Sequence, residues 1–288
     1  MKSSKFFVFL LSLCSTIFQV QGQEPVHLDR AQLGIWYPSF SSLPTIDLSS
    51  KDIYSIDSTT FNVLNSLTSL QLHNNKISRL DSTVFSNIAA ASSNLANLKY
   101  LYLHSNQLTS LPSGIFNKLG YLHTLDLENN KLTSINSALF SPLTSLRVLD
   151  LSSNQLKTIP QSAFYNLANL FELNLRRNQI ISFGPLAFTG LTNLLTLNLN
   201  NNNLTRIAQD DFKTLINLRD LHLSNNTIIS VDRLAFQGLI NLQTIYLGNN
   251  PISLLDGSNL KNLCYTNPKC SICLAPSCAK LNYFKQIF

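Results

Sequence analysis

The stretch Leu122-His123-Thr124-Leu125-Asp126-Leu127-Glu128-Asn129-Asn130-Lys131-Leu132 decides the fold. Leucines stand at its first, fourth, sixth and eleventh places and an asparagine at its ninth. The same pattern begins at Leu98, Leu122, Leu146, Leu170, Leu194, Leu218 and Leu242, with an identical step between every pair of starts. Earlier copies begin at Leu67 and, more weakly, at Leu43, which makes nine units. The step from Leu67 to Leu98 is the one long one, and its seven extra positions lie near Ala89-Ala90-Ala91-Ser92-Ser93. A phenylalanine closes each period, at 61, 85, 116, 140, 164, 188, 212 and 236, followed three residues later by Leu or Ile.

The spacing carries its own physics. Side chains alternate faces along a strand, so Leu125 and Leu127 point inward while residues 124, 126 and 128 point outward. One such unit cannot bury its apolar side alone, but stacked units share a continuous core. The strands then lie parallel, and each unit needs a return segment beneath which the phenylalanine and the last leucine pack. The asparagine column (75, 106, 130, 154, 178, 202, 226 and 250) sits where the chain leaves the strand. Buried turns strand backbone donors and acceptors, and an amide side chain satisfies both kinds, in its own unit and its neighbour. The expected fold is an α/β solenoid with nine repeats over residues 43–263.

Composition agrees. The chain has 288 residues, 12% charged and 44% hydrophobic, with a formal charge of +6. Typical globular chains carry about 25% charged residues. Disorder and a charged coiled coil are excluded, and 54 leucines and 33 asparagines fill the gap. Residues 1–22 read as a secretory signal peptide: Lys2 and Lys5, an apolar run from Phe6 to Phe18, then Val20-Gln21-Gly22. The run falls short of the roughly 20 residues that span a bilayer. A secreted, extracellular chain without a membrane span is expected. Residues 23–42 form an N-terminal capping segment without cysteines, with Trp36, Tyr37 and Phe40 covering the open core. Residues 264–288 form a short cap holding Cys264, Cys270, Cys273 and Cys278. In a secreted chain these are expected as disulfides, in any of three pairings, rather than as a zinc site.

The repeat resembles the 24-residue leucine-rich repeats of animal extracellular proteins, as in Toll-like receptor ectodomains, secreted matrix repeat proteins and the variable lymphocyte receptors of jawless fish. Leu108-Thr109-Ser110-Leu111-Pro112-Ser113-Gly114-Ile115-Phe116-Asn117-Lys118-Leu119 is especially similar to the lymphocyte-receptor modules. The resemblance implies a horseshoe with a parallel β-sheet on its concave face, and a ligand bound there. The chain departs from these receptors in lacking a cysteine-rich N-terminal cap and in the cysteine-free stretch between Asn250-Pro251 and Cys264.

The outward strand positions differ from unit to unit while the framework repeats. Tyr100, Tyr102, His104, Asp126, Glu128, Asp150 and Arg176 form the candidate ligand-binding patch, a mixture suited to protein recognition. His73 and His104 occupy one column of adjacent strands, close enough to touch; ordinary exposed histidines are the default reading. Asn203-Leu204-Thr205 and Asn225-Asn226-Thr227 are glycosylation sequons on Asn203 and Asn225. No nucleophile, metalloprotease, phosphate-loop or dinucleotide motif occurs, so neither enzyme, cofactor nor metal is expected. The positive charge is too diffuse to point to nucleic acid. The expected partner is an extracellular protein or glycan; the alternative is a matrix protein that self-associates, for example as a homodimer.

Overall fold

The computed structural model describes residues 24–64, 66–85 and 97–253, and the backbone of 271–273. The signal-like residues 1–22 therefore lie outside the described part, as do Cys264, Cys270 and Cys278. Short strands and turns repeat along the chain. On one face they form a ten-stranded parallel sheet: β2 (Thr45–Asp47), β4 (Ser69–Gln71), β5 (Tyr100–Tyr102), β6 (Thr124–Asp126), β7 (Val148–Asp150), β9 (Glu172–Asn174), β11 (Thr196–Asn198), β13 (Asp220–His222), β15 (Thr244–Tyr246) and β16 (Ser271–Cys273). Nine of these strands fall where the repeat places them. The tenth belongs to the segment read from sequence as a cap: Thr244, Ile245 and Tyr246 pair in parallel with Ser271, Ile272 and Cys273. The step from Thr244 to Ser271 is longer than the regular one and the segment lacks the leucine pattern, which is why the period does not reveal it.

The register never slips between units. Leu125 pairs with Leu149, and Leu149 with Leu173. Each of the nine repeat strands has its middle residue buried and neither flanking residue buried, as period-two alternation requires. On the opposite side the return segments are turns, joined by two-residue parallel pairs: β8 (Thr158–Ile159) with β10 (Ser182–Phe183), and β12 (Arg206–Ile207) with β14 (Ser230–Val231). Among the described residues the α-helical contribution is one helix, α1 (Arg30–Trp36), in the N-terminal segment. Asp29 starts it, its carboxylate accepting from the Gln32 amide at 2.7 Å. Strand β1 (Val26–Leu28) pairs with β3 (Ile53–Ile56) on the flank of the first turn. Leu28 and Leu33 are fully buried there, and Trp36, Tyr37 and Phe40 pack half-buried against the core.

Inside the stack the phenylalanines form a spine. Phe116, Phe140, Phe164 and Phe188 stack in succession at ring separations of 6.1–6.2 Å. Phe183, outside the repeat pattern, meets Phe188 and Phe212 edge-on at 5.0 and 5.9 Å.

The asparagines divide into three groups where the sequence suggests one. The buried column ties consecutive units as expected: Asn154 Nδ2 donates to the Leu127 and Leu151 carbonyls at 2.9 and 3.1 Å, and its Oδ1 accepts from the Leu132 amide at 3.0 Å. A second row lies on the return side. Asn169, Asn193, Asn217 and Asn241 each donate to a carbonyl of the preceding unit, at 2.8–2.9 Å. A third group takes left-handed backbone: Asn74, Asn129, Asn201, Asn225 and Asn249 have φ between 52° and 59°, a conformation asparagine tolerates better than most side chains.

Candidate ligand-binding face

The strand register sets the candidate residues in rows across β5 to β9. One row runs Tyr102, Asp126, Asp150, Asn174, each the direct partner of the next. A second, two residues beyond each strand, runs His73, His104, Glu128, Ser152, Arg176, aligned by backbone bonds such as Asn74 N to His104 O and Ser105 N to Glu128 O, both within 3.0 Å. Tyr100 lies in the third row, beside Thr124. All seven candidate residues thus share one face. Tyr100, Glu128 and Arg176 are exposed; Tyr102, His104, Asp126 and Asp150 are half-buried.

The middle row also has a structural task that the sequence does not reveal. Asp47, Asp126, Asp150, Asn174 and Asn198 each accept, through a side-chain oxygen, the amide two residues onward, at 2.8–3.2 Å. These are Asx turns that close the strand, so the scaffold favours Asp or Asn here. Asp150 uses its second oxygen on Asn174 Nδ2 at 2.8 Å. The Asp126 Oδ2 instead faces His104 Nε2 at 4.0 Å. Burial, and then the Asp150 charge, push the Asp126 carboxyl up; the Glu128 amide and the two histidines act against this. Burial raises the Tyr102 phenol, with Tyr100 and Asp126 adding to it.

His73 and His104 do touch. Their rings stack with centroids 4.4 Å apart and planes at 18°. His73 Nδ1 is buried without a hydrogen-bond partner among the described residues. Burial, then the neighbouring imidazole, hold the His73 pKa below the usual value. A second stack, His222 on Tyr246 at 4.4 Å and 8°, lies toward the other end of the face. Its members stand in one outward column of the repeat, but only the register shows that they meet. Among the described residues no group of three or more His, Cys, Asp or Glu is placed to hold a metal, and no helix is long and apolar enough to cross a membrane. Asn203 and Asn225 are both exposed. Asn225 accepts from Asn249 Nδ2 through its side-chain oxygen at 2.7 Å.

The second stack has a consequence for stability. Burial lowers the His222 pKa, so the native state resists a proton that the unfolded chain takes up near 6.5. Stability is therefore held above about pH 6.5 and is lost as pH falls through that value. The thermal midpoint is expected to drop between pH 7 and pH 5, and to drop less in His222→Gln. Equal pH slopes in the two proteins would refute the assignment.

A solenoid of parallel strands in which each unit contacts only its neighbours is a repeat scaffold. Residues 41–92, 96–156, 144–204, 192–252 and 216–263 match the family model described as leucine rich repeat. The chain belongs to the leucine-rich repeat family. No curated protein matches it by sequence comparison. Among solved structures it is similar to TLR13 in its complex with ssRNA13 (24% identity, TM-score 0.66, 87% of this chain and 42% of that one). It is similar to Toll in the Toll–Spatzle complex of Drosophila (24%, 0.55, 77% and 34%) and to the leucine-rich repeat domain of APL1B (25%, 0.59, 88% and 74%). The chain thus spans less than half the length of the first two. TLR13 is there complexed with ssRNA13, and the expected exclusion of nucleic acid, drawn from diffuse charge, gains no support.

Proposed function

We propose that the chain is a secreted recognition module that binds an extracellular protein through the concave face of β5 to β9. The observation that carries this reading is the composition of that face. Three carboxylates, two tyrosines and a histidine pair lie half-buried or exposed within the adjacent units of β4 to β7, on a framework whose core and ladder leave them outward. Aromatic and charged groups on a preformed, concave surface are what protein recognition uses. The Toll–Spatzle complex supports a protein ligand, and its stated place in innate immunity supports an immune role. The signal-like residues 1–22 support secretion. Glycans on Asn203 and Asn225 would leave β5 to β9 open, and disulfides among Cys264, Cys270, Cys273 and Cys278 would staple the C-terminal end.

The test is the variant Tyr102→Ala, Asp126→Arg, Arg176→Glu. It is expected to abolish capture of the partner from extracellular fluid, identified by mass spectrometry, while circular dichroism stays that of the parent. Undiminished capture would sink the reading. Light scattering over a concentration series tests self-association, which predicts growth in mass without any added partner.

A further inference from the structure

We propose that the Asp126 corner of the concave face receives an arginine or lysine side chain from a protein ligand, and that protonation of the His73–His104 pair supplies a competing internal cation that expels it. This rests on the concave-face reading above and names the chemistry of its partner.

Charge complementarity is the first argument. Asp126, Glu128 and Asp150 lie on adjacent strands. Among the described residues no lysine or arginine comes within 4.0 Å of any of them; the ion pairs with such cations are Lys76–Asp52, Arg206–Asp232 and Lys213–Asp210, all elsewhere. Asp150 has both oxygens in hydrogen bonds. Asp126 has one in its turn, to the Glu128 amide, and Oδ2 directed toward His104. Side-chain exposure at Asp126 is 22%, so its charge is poorly hydrated, and a partner's cation would relieve it. Tyr102, the direct strand neighbour of Asp126, offers a ring to the same cation. A guanidinium uses both at once, the carboxylate through hydrogen bonds and the aromatic face through cation–π attraction.

The second argument is the histidine pair. The charged groups that act on the pair are Asp47 from β2 and Asp126 from β6; Asp150 from β7 acts on Asp126, Lys51 acts on Asp47, and Tyr102 of β5 and Glu128 just beyond β6 stand beside them in the register. An imidazole takes up a proton just below neutral pH. Two rings stacked at 4.4 Å do not both carry charge readily. A proton on His73 would leave a buried Nδ1–H without a partner. A proton on His104 faces the Asp126 carboxylate. Acidification therefore places one cation against Asp126 from within the protein, where the ligand's cation would sit.

The test uses a fluorescently labelled nona-arginine peptide, read by anisotropy at near-physiological salt. Parent protein is expected to bind at pH 7.5 and to lose about tenfold in affinity at pH 5.5. Asp126→Asn retains an oxygen for the Asx turn, so it folds; it is expected to bind about tenfold more weakly at pH 7.5 and to lose the pH response. The double variant His73→Gln, His104→Gln is expected to lose the pH response: whatever its affinity at pH 7.5, the ratio of affinities at pH 7.5 and pH 5.5 falls from about tenfold to about one. The remote control Asp210→Asn is expected to behave as the parent. The inference is overturned if Asp126→Asn binds as the parent does, if Asp210→Asn weakens binding as much, or if the double variant keeps the acid loss. If the peptide ignores Asp126 while the triple variant still loses its partner, this inference falls and the concave-face reading stands.

Discussion

Replacing Phe164 with alanine is expected to cost about 3–5 kcal/mol of stability. The ring is fully buried and stacks on Phe140 at 6.2 Å and Phe188 at 6.1 Å. The loss combines its apolar surface, the cavity left in a shell that relaxes only partly, and two aromatic contacts worth about 0.5–1.5 kcal/mol each. Because each unit touches only its neighbours, the damage stays local and weakens coupling between the two halves of the solenoid. Denaturant unfolding is expected to lose cooperativity, with amide exchange accelerating first in units 140–190. The exposed Phe171→Ala is the comparison, expected within about 0.5 kcal/mol of the parent. A loss below about 1 kcal/mol at Phe164 would mean that the spine fills space without holding the stack together.

The second large effect is expected at Asn154→Leu, which keeps the volume and removes the polarity. The Leu132 amide then loses its acceptor inside the stack, while the Leu127 and Leu151 carbonyls each lose one bond and keep those from Asn130 and Asn178. The buried amide left unpaired costs about 1–3 kcal/mol and each lost carbonyl bond about 0.5–1.5 kcal/mol, so the total is expected at about 3 kcal/mol. The other two asparagine groups should cost less. Asn129→Ala asks a Cβ-bearing residue without a local polar side chain to hold φ 52°, at about 1–2 kcal/mol. Asn169→Ala removes one exposed bond to the Thr144 carbonyl, at about 0.5–1.5 kcal/mol. Urea unfolding of the three single variants checks the order, and equal losses would dismiss the division of the asparagines by role.

That division shows where reading a sequence stops. Leu125 and Leu127 announce themselves as core, because a leucine at every fourth and sixth place has no other use in a repeating strand. Asn154 announces its column for the same reason. Asn169 does not, because its partner carbonyl lies in the preceding unit, reached only when the return segments stack. The turn-closing role of Asp126 and Asp150 is hidden too: an Asp in an outward strand position looks like a free choice until its oxygen is found on the amide two residues on. Strand β16 escapes notice because Ser271-Ile272-Cys273 carries one leucine-like residue and follows an irregular step from Thr244.

The sequence alone determined the period, the number of regular repeats and the face each side chain takes, because strand alternation and a constant step are properties of the backbone that every unit obeys. It also placed the seven candidate residues on one surface. Only the tertiary structure decided what those residues do to one another. His73 and His104 stand on either side of the long step from Leu67 to Leu98, and their stacking depends on how two units settle against each other. The same holds for Asp126 Oδ2, left facing His104 while the Asp150 oxygens are both engaged. Neighbours across a solenoid are set by the packing of successive turns, and that packing follows from the buried leucines, phenylalanines and asparagines acting together rather than from any one unit.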